Sequence, residues 1–296
     1  MIKSSSFWDS KRTPYFIAEV SSNHGKDLQR SFDFIECAAE IGCDAVKFQL
    51  FKIDQLFAPE ILANSEKHRA RKNWELPIEF LPDIAAHCKK RNIDFGCTPF
   101  YLDAVELLKP YVDFFKIASY EMMWFELATH CIKTKKPLII SAGMATMDEI
   151  IACHQHAVEQ GGGETVLLHC TSAYPTPYQE ANLAAIETMR IATGALIGWS
   201  DHTVNAGVIH RAVHRWGAKI VEFHLDLDGK GEEFSAGHCW LPDQMAHVIK
   251  DIREAMQTDG DGVKMPTPSE MPDREWRTDP IDGLRPNKKL RASFKN

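Results

Sequence analysis

VKFQ (46–49) closes a short apolar, β-prone run with a lysine and an amide, and the same plan returns seven more times within the first 225 residues. The other endings are AEVSSNH (18–24), GCTPF (96–100), FKIAS (115–119), ISAGM (140–144), LHCTS (168–172), SDHT (200–203) and EFH (222–224). Strand, then chemically equipped residues, then helix, eight times over, describes an α/β protein of the (β/α)8 TIM barrel class. The motifs trace its catalytic rim, because sites on that fold lie at the C-terminal ends of the strands. The runs predict strands at about 15–20, 44–49, 93–97, 113–118, 137–141, 165–170, 196–200 and 219–224. PLIIS and TVLLHC are nearly continuous apolar runs, the pattern of strands covered on both faces.

Helical periodicity fills the intervals at 27–41, 77–91, 101–109, 122–134, 146–160, 180–192, 204–217 and 242–257. Thr146 with Glu149 three residues later predicts a capping box, and Gly42 predicts a helix stop. The segment 53–76 is longer than an ordinary βα loop and is expected to act as a lid or substrate loop. After residue 257 the chain turns rich in Pro, Gly and charge. The expected organisation is therefore a barrel over 1–257 and an extended C-terminal tail over 258–296.

At 296 residues, 44% hydrophobic and 25% charged, the chain suits one large barrel. A net charge of −7 gives no electrostatic reason to expect nucleic acid or an anionic membrane as partner. The opening MIKSSSFWDSKRTPYF carries no long apolar stretch, and no run approaches a membrane span. The eight cysteines lack CxxC spacing and read as free thiols in a reducing cytoplasm.

His202 and His224 end strands seven and eight, close enough on neighbouring strands to share one divalent ion, or else to stand as polar rim histidines without metal. Asp201 and Glu222 are nearby carboxylates that could orient such ligands, while His24 and His169 read as structural. Lys47 and Lys116 interrupt apolar strands. With Thr98, Ser119, Ser141, Ser172 and Ser200 around the circle they make a ring of donors for phosphate or carboxylate. The alternatives are structural ion pairs with Glu19 or Glu121, or a Schiff-base lysine. Glu19 and Glu121 suit general acid and base work. Gln49 suits a sugar hydroxyl, and Tyr174 suits a pocket wall.

Taken in order, these motifs over residues 15–257 resemble the sialic acid synthase family, which condenses phosphoenolpyruvate with an N-acetylated amino sugar to make nonulosonic acids. The resemblance implies His202 and His224 as metal ligands, for manganese first and magnesium or cobalt as alternatives. It implies Lys47, Thr98, Lys116, Ser119, Ser141 and Ser200 as phosphoenolpyruvate contacts, with Ser172 standing where the family has Asn. It places Glu19, Gln49 and Tyr174 on the sugar side and Glu121 near the reacting carbons. The implied reaction joins C3 of phosphoenolpyruvate to the sugar's open-chain aldehyde, with the metal as Lewis acid, then adds water at C2 and releases phosphate. The partners implied are phosphoenolpyruvate, a sugar aldehyde and a second copy of the chain in a homodimer.

Two departures from the family fall on the sugar side. After His224 the family's GPD motif is replaced by LDLDGKGEEFSAGHCWLPD, with Ser235 where the sugar-holding Asp belongs and Glu232, Glu233 or His238 as candidate substitutes. The chain also stops at RASFKN, about where the family's antifreeze-like domain would begin, so the expectation is that the Arg which that domain donates is absent or is replaced by Arg285 or Arg291 of the tail. An altered acceptor aldose is the expectation. A metal-dependent barrel aldolase or lyase, and a non-catalytic protein derived from a synthase, are the competing readings.

Overall fold

The computed structural model describes residues 7–11 and 13–294. The first six residues, part of the opening stretch that carries no long apolar run, lie outside the described residues, as do Arg12 and the last two residues of the tail. Eight parallel strands follow in chain order: β1 (Tyr15–Glu19), β2 (Ala45–Leu50), β3 (Asp94–Pro99), β4 (Phe114–Ile117), β5 (Leu138–Ser141), β6 (Val166–His169), β7 (Ile197–Asp201) and β8 (Ile220–Leu225). Each pairs with its neighbours in sequence, and β1 also pairs with β8, which closes the barrel. Every expected strand is present, its ends displaced by a residue or two. A ninth strand, β9 (Cys239–Trp240), adds to β8; two residues carry no period that a sequence could show.

The outer helices occupy the expected intervals with local differences. Asp27 caps the first by accepting from the backbone of Gln29 and Arg30, and Thr146 and Glu149 form the expected capping box. The helix after β7 is α-helical over Ala206–His210 and continues as a π-helix over Arg211–Arg215. The insert 53–76 is not a plain loop. It breaks into short helices at Ile53–Leu56, Pro59–Asn64 and Glu66–Ala70, then a 3-10 turn at Arg71–Trp74.

The lower barrel is solid. Tyr15, Ile17, Phe114, Ile139, Val166, Leu168 and Ile220 fill it, and Trp8 packs beneath against the rings of Tyr15 and Phe114 at 5.7 and 6.2 Å. Two strand glycines make that filling possible. A Cβ at Gly96 would overlap the Phe114 ring, and one at Gly198 would overlap the Ile220 carbonyl oxygen and the Leu168 side chain. With the barrel filled by apolar side chains below, polar inward side chains gather at the C-terminal ends of the strands.

The chain divides into two compact units, Met1–Arg253 and Glu254–Asn296. Within the second, a capping box at Thr267 and Glu270 opens a 3-10 turn, and Arg291 pairs with Asp282. All eight cysteines are free thiols, and no described helix is long and apolar enough to cross a membrane. Gly96→Ala should lower stability by about 1–3 kcal/mol through overpacking against Phe114. A urea midpoint equal to the wild type would show that the ring gives way freely.

Candidate active site

Strand register decides which side chains meet. Glu19 on β1 stands opposite Lys47 on β2 and His224 on β8, Gln49 stands opposite Thr98, and Ser200 stands opposite Glu222. The result is a small cavity of about 50 Å³ at the barrel mouth. Glu19, Lys47, Gln49, Thr98, Lys116 and Ser119 line it on one side of the chain order, and Ser141, Tyr174, Ser200, His202 and His224 complete it. Glu222, Ala118 and Cys170 share the lining. Of the residues that the resemblance assigns to metal, phosphoenolpyruvate, sugar and the reacting carbons, Glu121 and Ser172 are not on this wall.

The lysines are buried and compensated. Lys47 forms an ion pair with Glu19 and donates to Thr98 Oγ1 at 3.1 Å. Burial pulls its pKa down, but Glu19 and Glu222 outweigh that and hold it above the ordinary lysine value. Lys116 is held more loosely, 3.5 Å from Glu222 Oε1, and burial brings its pKa below the ordinary value. Its carboxylate partner is thus Glu222, and the pairing with Glu121 considered from sequence does not form. Ser200 Oγ also donates to Glu222, at 3.4 Å. Glu19 accepts from the Ser21 backbone at 2.9 Å and from Gln49 Nε2 at 2.8 Å.

The two histidine rings lie 5.5 Å apart. His202 Nδ1 meets the Thr171 carbonyl at 2.8 Å, and His224 Nδ1 meets Glu233 Oε2 at 2.8 Å, which leaves Nε2 of each ring as the remaining donor atom. Burial, with His224 nearby, brings His202 down to about 3, so it is a neutral imidazole with a free lone pair. Burial lowers His224 too, but the hydrogen bond its Nδ1 donates to the Glu233 carboxylate more than offsets it. A carboxylate behind an imidazole is the arrangement that fixes a metal-binding tautomer. This donor set fits a divalent ion. His224, Glu233, His238 and Cys239 also bring one potential ligand atom each to within 4.8 Å of one another. Asp201 does not orient a histidine. It accepts from Trp199, Trp240, Thr203 and the Val204 backbone, and so pins the turn that carries His202.

Ser172 stands behind Gly143, where a Cβ would overlap both Ser172 Oγ and Ser119 Oγ. The Gly143 N–H donates to Ser119 Oγ at 3.1 Å, and Ser172 Oγ is buried with no hydrogen-bond partner among the described residues. His24 and His169 are structural: His24 Nδ1 accepts from the Lys26 backbone, and His169 Nε2 meets the Ala181 carbonyl.

Beside the small well opens a larger pocket of about 500 Å³, and Gln49 lines both. Glu121 is on its wall, as are Glu233 and five residues of the insert: Leu56, Phe57, His68, Arg71 and Trp74. Burial raises Glu121 to about 7 against the opposing pull of Lys116. In the loop after β8, Glu233 and His238 turn inward, while Glu232 and Ser235 are exposed. His238 packs 4.9 Å from His224 and 5.2 Å from Tyr174. Arg71 and Trp74 escaped the sequence reading because a helical insert shows no alignment with a strand end. Of the tail arginines, Arg291 is bidentate to Asp282 at 2.7 and 2.8 Å, and Arg285 Nε reaches Thr278 Oγ1 at 3.4 Å.

Fold and site together define a barrel protein with an anion-suited lysine pair, a metal-suited histidine pair and a roomy pocket alongside. The chain belongs to the NeuB family, whose model matches residues 34–264. It is 35% identical over 270 residues to the N,N'-diacetyllegionaminic acid synthase of Campylobacter jejuni, covering 86% of this chain and 80% of that protein. It is 33% identical to the Legionella pneumophila protein of the same name, with 90% of this chain and 78% of that one covered. Among solved structures, the N-acetylneuraminic acid synthetase of Leptospira borgpetersenii in complex with citrate superposes with a TM-score of 0.79 at 29% identity, over 90% of this chain and 92% of that chain.

Because Glu121 titrates near 7 when folded and near the ordinary carboxylate value when unfolded, it opposes folding as pH rises through that interval. Glu121→Gln should therefore gain stability relative to the wild type between pH 4 and pH 8, by up to roughly 3 kcal/mol. Denaturation midpoints that stay equally spaced at both pH values would show that Glu121 ionises normally.

Proposed function

We propose that this protein is a condensing synthase that joins phosphoenolpyruvate to an aldose and releases phosphate. The observation that carries the reading is the convergence, in one small well, of two buried lysines, a ring of hydroxyls and a histidine pair, with Gln49 leading from it into a sugar-sized pocket. The names of the relatives point the same way.

Lys116, the less tightly paired ammonium, shares the well with the hydroxyls of Ser119, Ser141 and Ser200, and these groups hold the phosphate and carboxylate of phosphoenolpyruvate. Lys47 stays bound to Glu19 and keeps that carboxylate, and through it Gln49, in place at the opening toward the sugar. His202 and His224 would hold a divalent ion, manganese first, which supplies Lewis acidity at a sugar carbonyl oxygen. Glu233 sets the tautomer of His224, and the Thr171 carbonyl does so for His202. Tyr174, 4.3 Å from His202, forms the wall on that side. Glu121 handles the proton of the water that adds at C2, since a carboxyl titrating near 7 can both accept and return it.

The test is phosphate release from phosphoenolpyruvate with Mn²⁺ across hexoses, N-acetylhexosamines and pentoses. Release should depend on the aldose and disappear in His202→Ala and Lys116→Ala. Carbon–carbon chemistry on a keto-acid without phosphate release would instead identify a metal-dependent aldolase, and no turnover on any aldose would leave a binding protein. Glu233→Gln should weaken Mn²⁺ binding about 10–100-fold, read by calorimetry or by the spectrum of free Mn²⁺. Unchanged affinity would mean that Glu233 does not act through His224.

A further inference from the structure

The insert wall of the larger pocket carries a cation with no counterion among the described residues. Arg71 sits on the 3-10 turn Arg71–Trp74, and its guanidinium carbon lies 5.5 Å from the Phe57 ring centroid and 5.2 Å from that of Trp74. Two aromatic rings against one planar group fix its orientation and leave its N–H edges as the remaining donors. Its Nε is buried without a hydrogen-bond partner, and among the described residues the side chain pairs with no carboxylate. Arg30, Arg91, Arg190 and Arg253 behave differently: each meets a carboxylate. In a chain with 41 acidic residues, a half-buried guanidinium left unmatched inside a cavity is a recognition group awaiting an anion.

The pocket's own carboxylates do not answer it. Glu233 is taken by His224, His238 and Ser22, and Glu121 is held largely protonated below neutrality by burial. The cavity of about 500 Å³ is within the size range of small-molecule sites. Its two walls differ in chemistry. The barrel wall offers Gln49, Glu121 and Glu233 next to the reacting well, and the insert wall offers Arg71 and His68 beside aromatic faces.

We propose that the acceptor is an aldose carrying an anionic group, a phosphate ester or a carboxylate, which Arg71 binds at the insert wall while the aldehyde end reaches the well past Gln49. This inference rests on the synthase reading for the identity of the aldehyde end, and on the pocket alone for the anion. A planar guanidinium fork matches either oxyanion with two parallel hydrogen bonds. The anchor thus comes from the insert of this chain, the segment that the sequence marked as a lid or substrate loop.

The experiment is calorimetric binding of a panel of hexose, hexosamine and pentose phosphates, the corresponding uronates and their neutral parents to the full chain, in the wild type, Arg71→Gln and Arg71→Lys. The tightest ligand should be anionic, at least tenfold tighter than its neutral parent, and the ratio should collapse toward one in R71Q. R71K should retain part of the ratio for a phosphate and less for a carboxylate, because a point charge replaces the fork. Phosphoenolpyruvate binding measured on the same R71Q sample shows whether that variant is folded. A neutral tightest binder, no binding across the panel, or an anion bound equally by a folded R71Q overturns the inference. Phosphate release assayed in parallel separates the two ideas: anion-selective binding without turnover leaves Arg71 as the anchor and removes the synthase, whereas turnover of neutral aldoses with no effect of charge does the reverse.

Discussion

Two ammonium groups buried at the ends of barrel strands are the constraint around which this molecule is arranged. Lys47 and Lys116 are almost wholly removed from water. Such a charge is tolerable only beside an opposite one, and stripping one partner from a buried pair typically costs about 3–5 kcal/mol. Glu19 and Glu222 supply that compensation from β1 and β8, the strands that close the barrel. Each carboxylate then has oxygen capacity left, and it is used on Gln49 and the Ser21 backbone in one case and on Ser200 in the other. Charge balance and positioning are therefore one network. The apolar plug of Trp8, Phe114 and their neighbours below makes it possible, because a filled barrel forces the polar groups to the mouth.

Much of this was legible in the sequence, for a geometric reason. A parallel strand that ends in a polar residue places that residue on the rim whatever the rest of the chain does, so eight short runs fixed both the barrel and most of the lining of the well. Partners were harder to read. Lys116 meets Glu222 because β4 and β8 face one another across the mouth, a relation that no spacing encodes. Ser172 lies behind Gly143, and Glu121 lies one turn past its strand in the neighbouring pocket. The insert and the loop after β8 were the least legible. Their short helices are placed by contact with the rim, so Arg71, Trp74, Glu233 and His238 carried no periodic signal that would aim them.

The division between legible and illegible parts matches a division of labour. Strand ends build the well, where the lysines, hydroxyls and histidines stand. Loops and the insert build most of the pocket. Glu233 joins the two regions: it lines the pocket, receives Ser22 and holds His224 in the well. A change in that loop therefore reaches both the shape of the pocket and the tautomer of a metal-suited histidine.

Two strand-end carboxylates, Glu19 and Glu121, were indistinguishable as acid or base from their positions alone, and their surroundings separate them. Glu19 is committed on both oxygens, to Lys47 on one and to Gln49 and the Ser21 backbone on the other; to take up a proton it would have to abandon a buried cation. Glu121 has an oxygen buried without a hydrogen-bond partner among the described residues, and burial brings its titration to about 7. A group that exchanges its proton near the working pH of a cell, without breaking an ion pair, is the one suited to shuttle a proton. On the synthase reading, Glu19 is therefore a fixed electrostatic and hydrogen-bonding post, and proton traffic falls to Glu121 on the pocket side.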